Sequence, residues 1–285
     1  MNVSCAKNTH PIHSAGRQKT PPDRRIAAPS WVMPASVAEN CRFLSGKVDE
    51  VALLFFDTGS SLAYGENELD LPLEELALSC HVHLPLDLPW DNPVMCAGIC
   101  LKLLHKTRHL ADRTNTGKRP HCRAVLHPPP HEPDRPKLAA QRLAAFAGAF
   151  RAQGGSTSLL YLENIRENDL LAICRPAAQL GFGFCLDAGH MLAYAQEHIL
   201  ESPDLLERCA IVHLSAPGKQ GQHETTGKDG HAPLNQLHEK EQDACRKLVR
   251  SVPAGAVIVL EIFSWEGVAA SMPVLATWLL PFSEP

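Results

Sequence analysis

Eight short apolar runs, each separated from the next by a segment with helical periodicity, constrain the fold of this chain more than any other feature. The runs cover residues 26–33, 48–56, 81–86, 122–127, 158–164, 182–187, 209–215 and 256–263. Strands that alternate with helices are typical of a parallel sheet, because each helix returns the chain to the start of the next strand. Eight such units predict an α/β protein with a (β/α)8 barrel. A doubly wound open sheet is the alternative, but no GxGxxG motif follows an early strand.

The segments between the runs predict the helices and the domain limits. The clearest amphipathic helix is predicted over residues 135–154, and helices are also predicted over residues 66–80 and 167–180. We expect residues 1–25 to form a flexible arm, because they are polar and contain proline. We expect residues 26–285 to form a single catalytic domain, since this length suits one large α/β unit.

Composition excludes several classes of protein. Hydrophobic residues make up 45% of the chain and charged residues 20%, which is usual for a globular protein. The net charge of −4 argues against general binding to nucleic acid. The 10 cysteines include no CxxC pair, so we expect buried free thiols in a reducing compartment. Because no apolar stretch has the length of a membrane span and the N-terminus lacks a secretory signal, we expect a cytoplasmic protein without a membrane partner.

Most of the later strands end in a side chain that can bind a metal ion. These side chains are His83, His127, Glu163, Asp187, His190, His213 and Glu261, with Asp229 and His231 in the loop after the seventh strand. The carboxyl ends of strands in a parallel barrel meet on one face, so we expect these groups to converge. Imidazoles and carboxylates bind zinc, manganese or iron, and a cation would relieve the repulsion between clustered charges. The pattern predicts a site for one to three divalent ions.

Two residues of this pattern have a second interpretation. Asp187 can cap the helix that follows it by accepting hydrogen bonds from free backbone amides. His81 and His83 lie on the same side of their strand, so either can be the ligand, although His83 is nearer the strand end. We expect Asn164 to orient Glu163 or to bind substrate.

Three further residues lie just beyond strand ends and are candidates for substrate binding. They are Asp87, Trp90 and Trp265. We expect them at the rim of the pocket, where the two tryptophans can contact an apolar substrate face. Packing in the core is the alternative for both tryptophans.

The set of strand ends resembles the xylose-isomerase-like barrel superfamily, which includes the endonuclease IV type of abasic-site nuclease. The resemblance implies a cluster of up to three divalent ions. The implied ligands are the bridging or central pair Glu163 and Glu261, the pair His83 and His127 at one metal, the pair Asp187 and His190 at another, and His213, Asp229 and His231, which complete the cluster.

Seven segments give a closer resemblance, which runs from about residue 26 to the C-terminus. They are VDEVALLFFDTGS, HVHLPLDLPW, LYLENI, CLDAGHMLAYAQ, IVHLSAP, HAPLNQL and LEIFSWEGVAASM. Together they resemble the cobamide-remodelling phosphodiesterases, which cleave the phosphoribosyl linkage in the nucleotide loop of a cobamide, a vitamin B12-type corrinoid. This resemblance implies a metal-dependent hydrolase with a cobamide as substrate. Glu163 and Glu261 would be catalytic, holding the water that attacks the phosphate.

Three other functions can use the same residues. A sugar isomerase or epimerase would use a single metal and two carboxylates to move a proton beside a carbonyl. An abasic-site endonuclease would need basic groups around the site, and the acidic net charge argues against it. A corrinoid-binding or metal-binding protein without activity is the third alternative.

Overall fold

Eight parallel strands close into a barrel in the order in which they occur along the chain. The computed structural model describes residues 24–69, 71, 73, 75–110, 122–218 and 230–280. The strands are β1 (Ile26–Pro29), β2 (Glu50–Leu54), β3 (Ser79–His83), β4 (Ala124–Leu126), β5 (Leu160–Glu163), β6 (Gly183–Asp187), β7 (Cys209–Leu214) and β8 (Val257–Leu260). Strand β8 pairs with β1 through Ile258 and Ile26, which closes the barrel. The predicted (β/α)8 architecture is confirmed.

Helices follow or separate the strands on the outside of the barrel. They are α1 (Val37–Leu44), α2 (Thr58–Ala63), α3 (Pro93–Lys106), α4 (Leu138–Ala152), α5 (Cys174–Gln179), α6 (Ala188–Ala193), α7 (Pro203–Glu207), α8 (Glu239–Ser251) and α9 (Trp265–Leu279). Local sequence fixes several of their starts. Ser36 and Glu39 form a capping box at α1, and the Ser264 hydroxyl accepts a hydrogen bond from the Gly267 amide at α9.

The predicted helices over residues 66–80 and 167–180 differ from the structure. In the first segment the described residues form a 3-10 turn over Glu66–Leu69 followed by irregular turns, because Pro72 lacks the amide proton that a helix interior needs. In the second, α5 begins only at Cys174. Leu170 has a φ of 71°, which a right-handed helix does not allow. The helix predicted over residues 135–154 is confirmed as α4.

The barrel interior consists of small and medium side chains between two polar ends. The middle of the interior is lined by Ala27, Ala52, Val125, Cys185, Ile211, Val257 and Val259. A much larger apolar core, which includes Phe146, Phe150 and Trp278, fills the space between the strands and the helices. Because strand side chains alternate, residues that point inward at the carboxyl end of each strand gather in the mouth of the barrel.

A buried ion cluster occupies the amino-terminal end of the barrel. The Glu50 carboxylate lies 3.0 Å from Arg25 Nη1 and 3.0 Å from Arg123 Nη2, and it is 2.7 Å from His81 Nδ1. Burial raises the pKa of Glu50, but the hydrogen bond with His81 and the charges of Arg123 and Arg25 outweigh it and set this pKa at about 2. His81 therefore belongs to this cluster, and His83 is the histidine of β3 that reaches the mouth.

The last two residues of the predicted N-terminal arm contact the barrel. Residues 1–23 of the predicted arm fall outside the described residues, but Arg24 and Arg25 pack on the barrel. Arg24 Nη2 donates to the Val252 carbonyl at 3.2 Å, and the Ile258 amide donates to the Arg25 carbonyl at 3.0 Å. The cysteines in the described part of the chain are free, as expected. Among the described helices, none combines the length and the apolar character needed to cross a bilayer.

Candidate metal centre

Glu163, at the end of β5, lies at the centre of the barrel mouth and its two carboxylate oxygens face different histidines. Oε2 is 2.9 Å from His83 Nε2 and 3.2 Å from His127 Nε2. Oε1 is 3.0 Å from His213 Nδ1 and 3.9 Å from His190 Nδ1. The ends of β3, β4, β6 and β7 thus converge on one buried carboxylate, as the parallel barrel requires.

A second group of side chains surrounds His213 at the end of β7. Its Nδ1 atom is 3.1 Å from Glu261 Oε2 and 3.7 Å from Asp187 Oδ2. Ligand atoms of Glu163, Asp187, His213 and Glu261 all lie within 4.8 Å of one another, and so do those of His83, His127 and Glu163. Each group supplies enough ligands for one divalent ion.

Eight of the nine predicted metal ligands therefore come together in the mouth. His127 and His190 have ring centroids 6.3 Å apart, and His190 and His231 are also separated by 6.3 Å. These imidazoles form a partial ring above the carboxylates. The ninth residue, Asp229, lies outside the described residues, and its assignment as a ligand stays a prediction.

Backbone carbonyls determine, for three of the histidines, that the Nδ1 atom of the ring carries a proton. The Nδ1 atoms of His83, His190 and His231 donate to the carbonyls of Leu84, Asn164 and Glu261, at 2.9, 2.9 and 3.1 Å. A carbonyl only accepts hydrogen bonds, so each Nδ1 carries a proton and Nε2 is the nitrogen left for a metal ion. Histidines that bind metals are oriented in this way in most metalloproteins.

The backbone of His231 is held in an unfavourable conformation. Its φ of 44° places a residue with a side chain in the left-handed region. A β-bridge between Ala216 and Ala232, with hydrogen bonds of 2.7 and 2.9 Å, secures this part of the loop. Strain of this kind is typical of residues that are positioned for function.

Asp187 both caps α6 and presents a carboxylate oxygen to the mouth. Its Oδ1 atom accepts a hydrogen bond from the His190 amide at 2.6 Å, so the predicted capping role is confirmed. Its Oδ2 atom is buried and has no hydrogen-bond partner among the described residues. Burial raises the pKa of Asp187 to about 6. A bound cation would compensate this oxygen, whose nearest charged neighbour among the described residues is His213 Nδ1 at 3.7 Å.

His213 supplies positive charge to the other carboxylates. Burial raises the pKa values of Glu163 and Glu261, but the charge on His213 and its hydrogen bonds outweigh this effect and hold both values below the usual range. Burial lowers the pKa of His213, whereas Cys185, Glu261 and Glu163 raise it well above its usual value. Positive charge at this point, on an imidazole or a metal ion, allows three carboxylates to be buried together. The residues present therefore fit a divalent cation.

Asn164 orients Asp187, although we expected it to orient Glu163 or to bind substrate. Its Oδ1 atom accepts from the Asp187 amide at 2.7 Å, and its Nδ2 atom donates to the Asp187 carbonyl at 3.0 Å. Nδ2 also donates to Gln196 Oε1 at 3.1 Å, and Gln196 in turn donates to the Ile165 carbonyl. Both side chains are buried. The sequence carries no local signal for Gln196, because its role depends on a contact between two loops.

The three predicted rim residues have different environments. Asp87 is exposed, and its Oδ1 atom accepts from the amide and hydroxyl of Thr58 at 2.8 Å, which joins the loop after β3 to α2. Trp90 is buried against Phe146, and its indole N–H donates to the His127 carbonyl at 3.2 Å. The structure thus places Trp90 in the core, where it supports the end of β4, and we correct its assignment to substrate.

Trp265 packs edge-on against Phe43, with centroids 5.2 Å apart, and lines a cleft of about 610 Å³ beside the mouth. Besides Phe43, the cleft contains three aromatic residues that the sequence analysis missed. They are Trp31, Phe56 and Phe263, which we call the aromatic wall. Their position just after β1, β2 and β8 is a signal that could have identified them, because the carboxyl ends of these strands face the mouth.

The solved structures that share this fold include xylose-isomerase-like TIM barrel proteins. A D-tagatose 3-epimerase-like protein is 14% identical with a TM-score of 0.58, and the match covers 90% of this chain and 97% of that one. The IOLI protein, solved with a zinc atom, is 11% identical with a TM-score of 0.58, over 91% of this chain and 100% of that one.

The D-allulose 3-epimerase from Methylomonas sp., solved in complex with D-allulose, is a third structure with the same fold. It is 16% identical with a TM-score of 0.54, and the match covers 91% of each chain. No protein-family model and no curated protein matches the sequence. The structural similarity shows a xylose-isomerase-like fold, and at identities this low it shows the fold alone.

Proposed function

We propose that this protein is a metal-dependent phosphodiesterase that holds at least two divalent ions and cleaves the nucleotide loop of a cobamide. The observation that carries the proposal is the position of Glu163. One of its oxygens faces His83 and His127, and the other faces His213 and His190. A carboxylate with separate ligand groups on its two oxygens is suited to bridge two metal ions.

The described residues divide naturally between two ions. His83, His127 and one oxygen of Glu163 would hold the first, and the remaining oxygen would join the second group. That second group is Asp187, His213 and Glu261. Divalent ions in such a pair lower the pKa of water and neutralise charge on a phosphate. Zinc, manganese and iron all suit imidazole and carboxylate ligands.

The protein's own side chains would position the substrate and accept the proton. The Glu261 side chain is 6% exposed, whereas those of Glu163 and Asp187 are almost completely buried. Glu261 is therefore the carboxylate placed to receive a proton from the attacking water. His127 and His231 are the most exposed imidazoles of the described ligand set, with side chains 18% and 20% exposed, and they border the space for the phosphate.

A cobamide substrate is supported by the resemblance of the strand-end segments and by the cleft beside the mouth. The cleft is mainly apolar, which suits a substrate that is larger and less polar than a monosaccharide. A general nucleic-acid substrate would need a basic surface, and the net charge of −4 does not favour one.

A sugar isomerase or epimerase is the second candidate, and the named structural neighbours favour it. The group of Glu163, Asp187, His213 and Glu261 is sufficient for one ion between two glutamates. Such a site leaves His83 and His127 without a metal to bind. These two imidazoles are the reason that we place the phosphodiesterase first.

The experiment that separates the two candidates combines turnover with metal content. Purified protein is reconstituted separately with manganese, zinc and ferrous iron and incubated with adenosylated and cyano cobamides, with D-allulose and D-tagatose, and with an abasic DNA duplex. A phosphorylated cobinamide and a released nucleoside, identified by mass spectrometry, would support the phosphodiesterase. Epimerised sugar without cobamide cleavage would establish the second candidate, and cleaved DNA would refute both.

Metal content gives an independent result. A His83→Ala, His127→Ala double variant should lose one bound ion per chain and keep the other, as measured by elemental analysis after dialysis. His105→Ala, which changes a histidine on the outer helix α3, is the matched control and should keep the full content. A wild-type protein that saturates at one ion and is unaffected by the double substitution would contradict the bridging role of Glu163.

A further inference from the structure

The aromatic wall exposes three large rings in one continuous patch. Trp31, Phe56 and Phe263 are 37%, 44% and 39% exposed, in a protein whose other aromatic rings include several that are fully buried. The ring centroids of Trp31 and Phe56 are 6.0 Å apart, and those of Phe56 and Phe263 are also 6.0 Å apart. Contiguous apolar patches on a protein surface usually mark a binding site.

The wall is continuous with the metal centre. The ring of Phe263 lies 4.8 Å from the ring of His231, whose Nδ1 atom donates to the Glu261 carbonyl. Leu86, which is 57% exposed, lies beside Phe56 in the backbone, because its amide donates to the Phe56 carbonyl at 3.3 Å. A ligand that places a phosphate in the mouth would therefore also cover the wall.

The residues that line the cleft determine which part of a ligand can bind there. Apart from Ser264 and Glu266, its lining residues are apolar or aromatic, and the Ser264 hydroxyl oxygen already accepts from the Gly267 amide at the start of α9. The hydroxyl groups of a sugar would find few partners here to replace their hydrogen bonds to water. Aromatic faces and edges instead bind broad apolar surfaces.

We infer that the aromatic wall binds the corrin ring of the substrate while its phosphodiester lies at the metal centre. This inference rests on the proposed function, because it assigns a binding surface to the part of the same substrate that does not react. Binding energy gained on the wall would hold the scissile bond in the mouth. Loss of the wall should therefore raise KM more than it lowers kcat.

The test uses cobinamide, which carries the corrin ring but no nucleotide loop and cannot be cleaved. Binding to the full-length, metal-loaded protein is measured by equilibrium dialysis through the visible absorption of the corrin. Trp31→Ala, Phe56→Ala and Phe263→Ala should each weaken binding by about tenfold. Trp31→Phe should restore most of the loss, because it keeps an aromatic ring. Leu280→Ala is the control, since Leu280 is 60% exposed and follows α9 away from the mouth.

The results for binding and for cleavage are independent. If cobinamide binds and the wall variants weaken it, the inference holds even when cobamide cleavage is absent and the proposed function fails. Cobamide cleavage with unchanged cobinamide affinity in all three variants would overturn the inference and leave the proposed function intact. A dimer that dissociates on the Trp31→Ala substitution, seen by light scattering, would assign the wall to self-association and would also overturn the inference.

Discussion

Asn164 and Asp187 are joined by two hydrogen bonds of 2.7 and 3.0 Å between the ends of neighbouring strands β5 and β6. The amide side chain of Asn164 satisfies both backbone groups of Asp187. This arrangement fixes the direction of a carboxylate that faces the metal centre without using any of that carboxylate's own oxygens. Asn164 directly follows Glu163 in the chain and positions Asp187. The two proposed metal ligands are therefore linked through one side chain.

Asn164→Ala should weaken metal binding by about 10- to 100-fold, because Asp187 loses its support and its buried amide loses a partner. The measurement is a competition titration with a chelating dye. Thr157→Ala removes a buried hydroxyl that donates to the Leu180 carbonyl before the starts of β5 and β6, and it is the control, expected to lower stability without changing metal affinity. Unchanged affinity in Asn164→Ala would show that Asp187 is oriented by other contacts.

Glu261→Gln should lower cobamide turnover by about 10²- to 10⁴-fold while the protein stays folded, since it removes the proposed proton acceptor. Glu163→Gln should abolish turnover and also reduce metal content, because it removes the proposed bridging carboxylate. Circular dichroism and elemental analysis separate these two effects. A folded, metal-loaded Glu261→Gln protein with normal activity would refute the assignment.

Asp187→Asn should stabilise the metal-free protein near neutral pH. The pKa of Asp187 rises from 3.8 to about 6 on folding, so its contribution is favourable below about pH 4 and is lost as the pH rises through 6. This difference corresponds to about 3 kcal/mol, and Asn keeps the oxygen that caps α6. Urea unfolding in excess chelator, near pH 4 and near pH 7.5, measures the effect. Lower stability of the variant at the higher pH would contradict the prediction.

Glu50→Gln should destabilise the protein by about 3 kcal/mol at neutral pH, because Arg123 and Arg25 lose their partner. The pKa of Glu50 falls from 4.5 to about 2 on folding, so the stabilising contribution is present above pH 4.5 and is lost as the pH falls towards 2. The gap between wild type and variant should close over that range in denaturant titrations. Asp243→Asn, at an exposed ion pair on α8, should change stability by less than about 0.5 kcal/mol.

Features that depend on periodicity and on strand direction could be predicted from the sequence. The alternation of strands and helices determines the barrel, and the barrel brings His83, Glu163 and Glu261 together although they are far apart in the chain. Asp187 was predicted both as a cap and as a ligand. Its Oδ1 atom caps α6 and its Oδ2 atom faces His213 in the mouth, while its role as a metal ligand stays a prediction. In each case the local sequence pattern was sufficient together with one rule, that the carboxyl ends of strands in a parallel barrel converge on one face.

Features that depend on contacts between loops could not be predicted. The role of Asn164 requires the position of Gln196, and the burial of Trp90 requires the packing of α4 through Phe146. The aromatic wall requires the closure of β8 on β1, which brings Phe263 near Trp31 through Phe56. The helix predicted over residues 66–80 is not formed by the described residues, because Pro72 opposes a helix that the leucine spacing favours.

The two polar ends of the barrel balance their charges in different ways. At the amino-terminal end, Glu50 is neutralised by arginines of the chain itself, so its charge is balanced without a metal ion. Loops at the opposite end can then exchange side chains and acquire new substrates without loss of the scaffold. This protein, only 14% identical to an epimerase-like barrel, keeps the architecture, and its mouth carries His83 and His127 beside Glu163 in addition to the group of Asp187, His213 and Glu261.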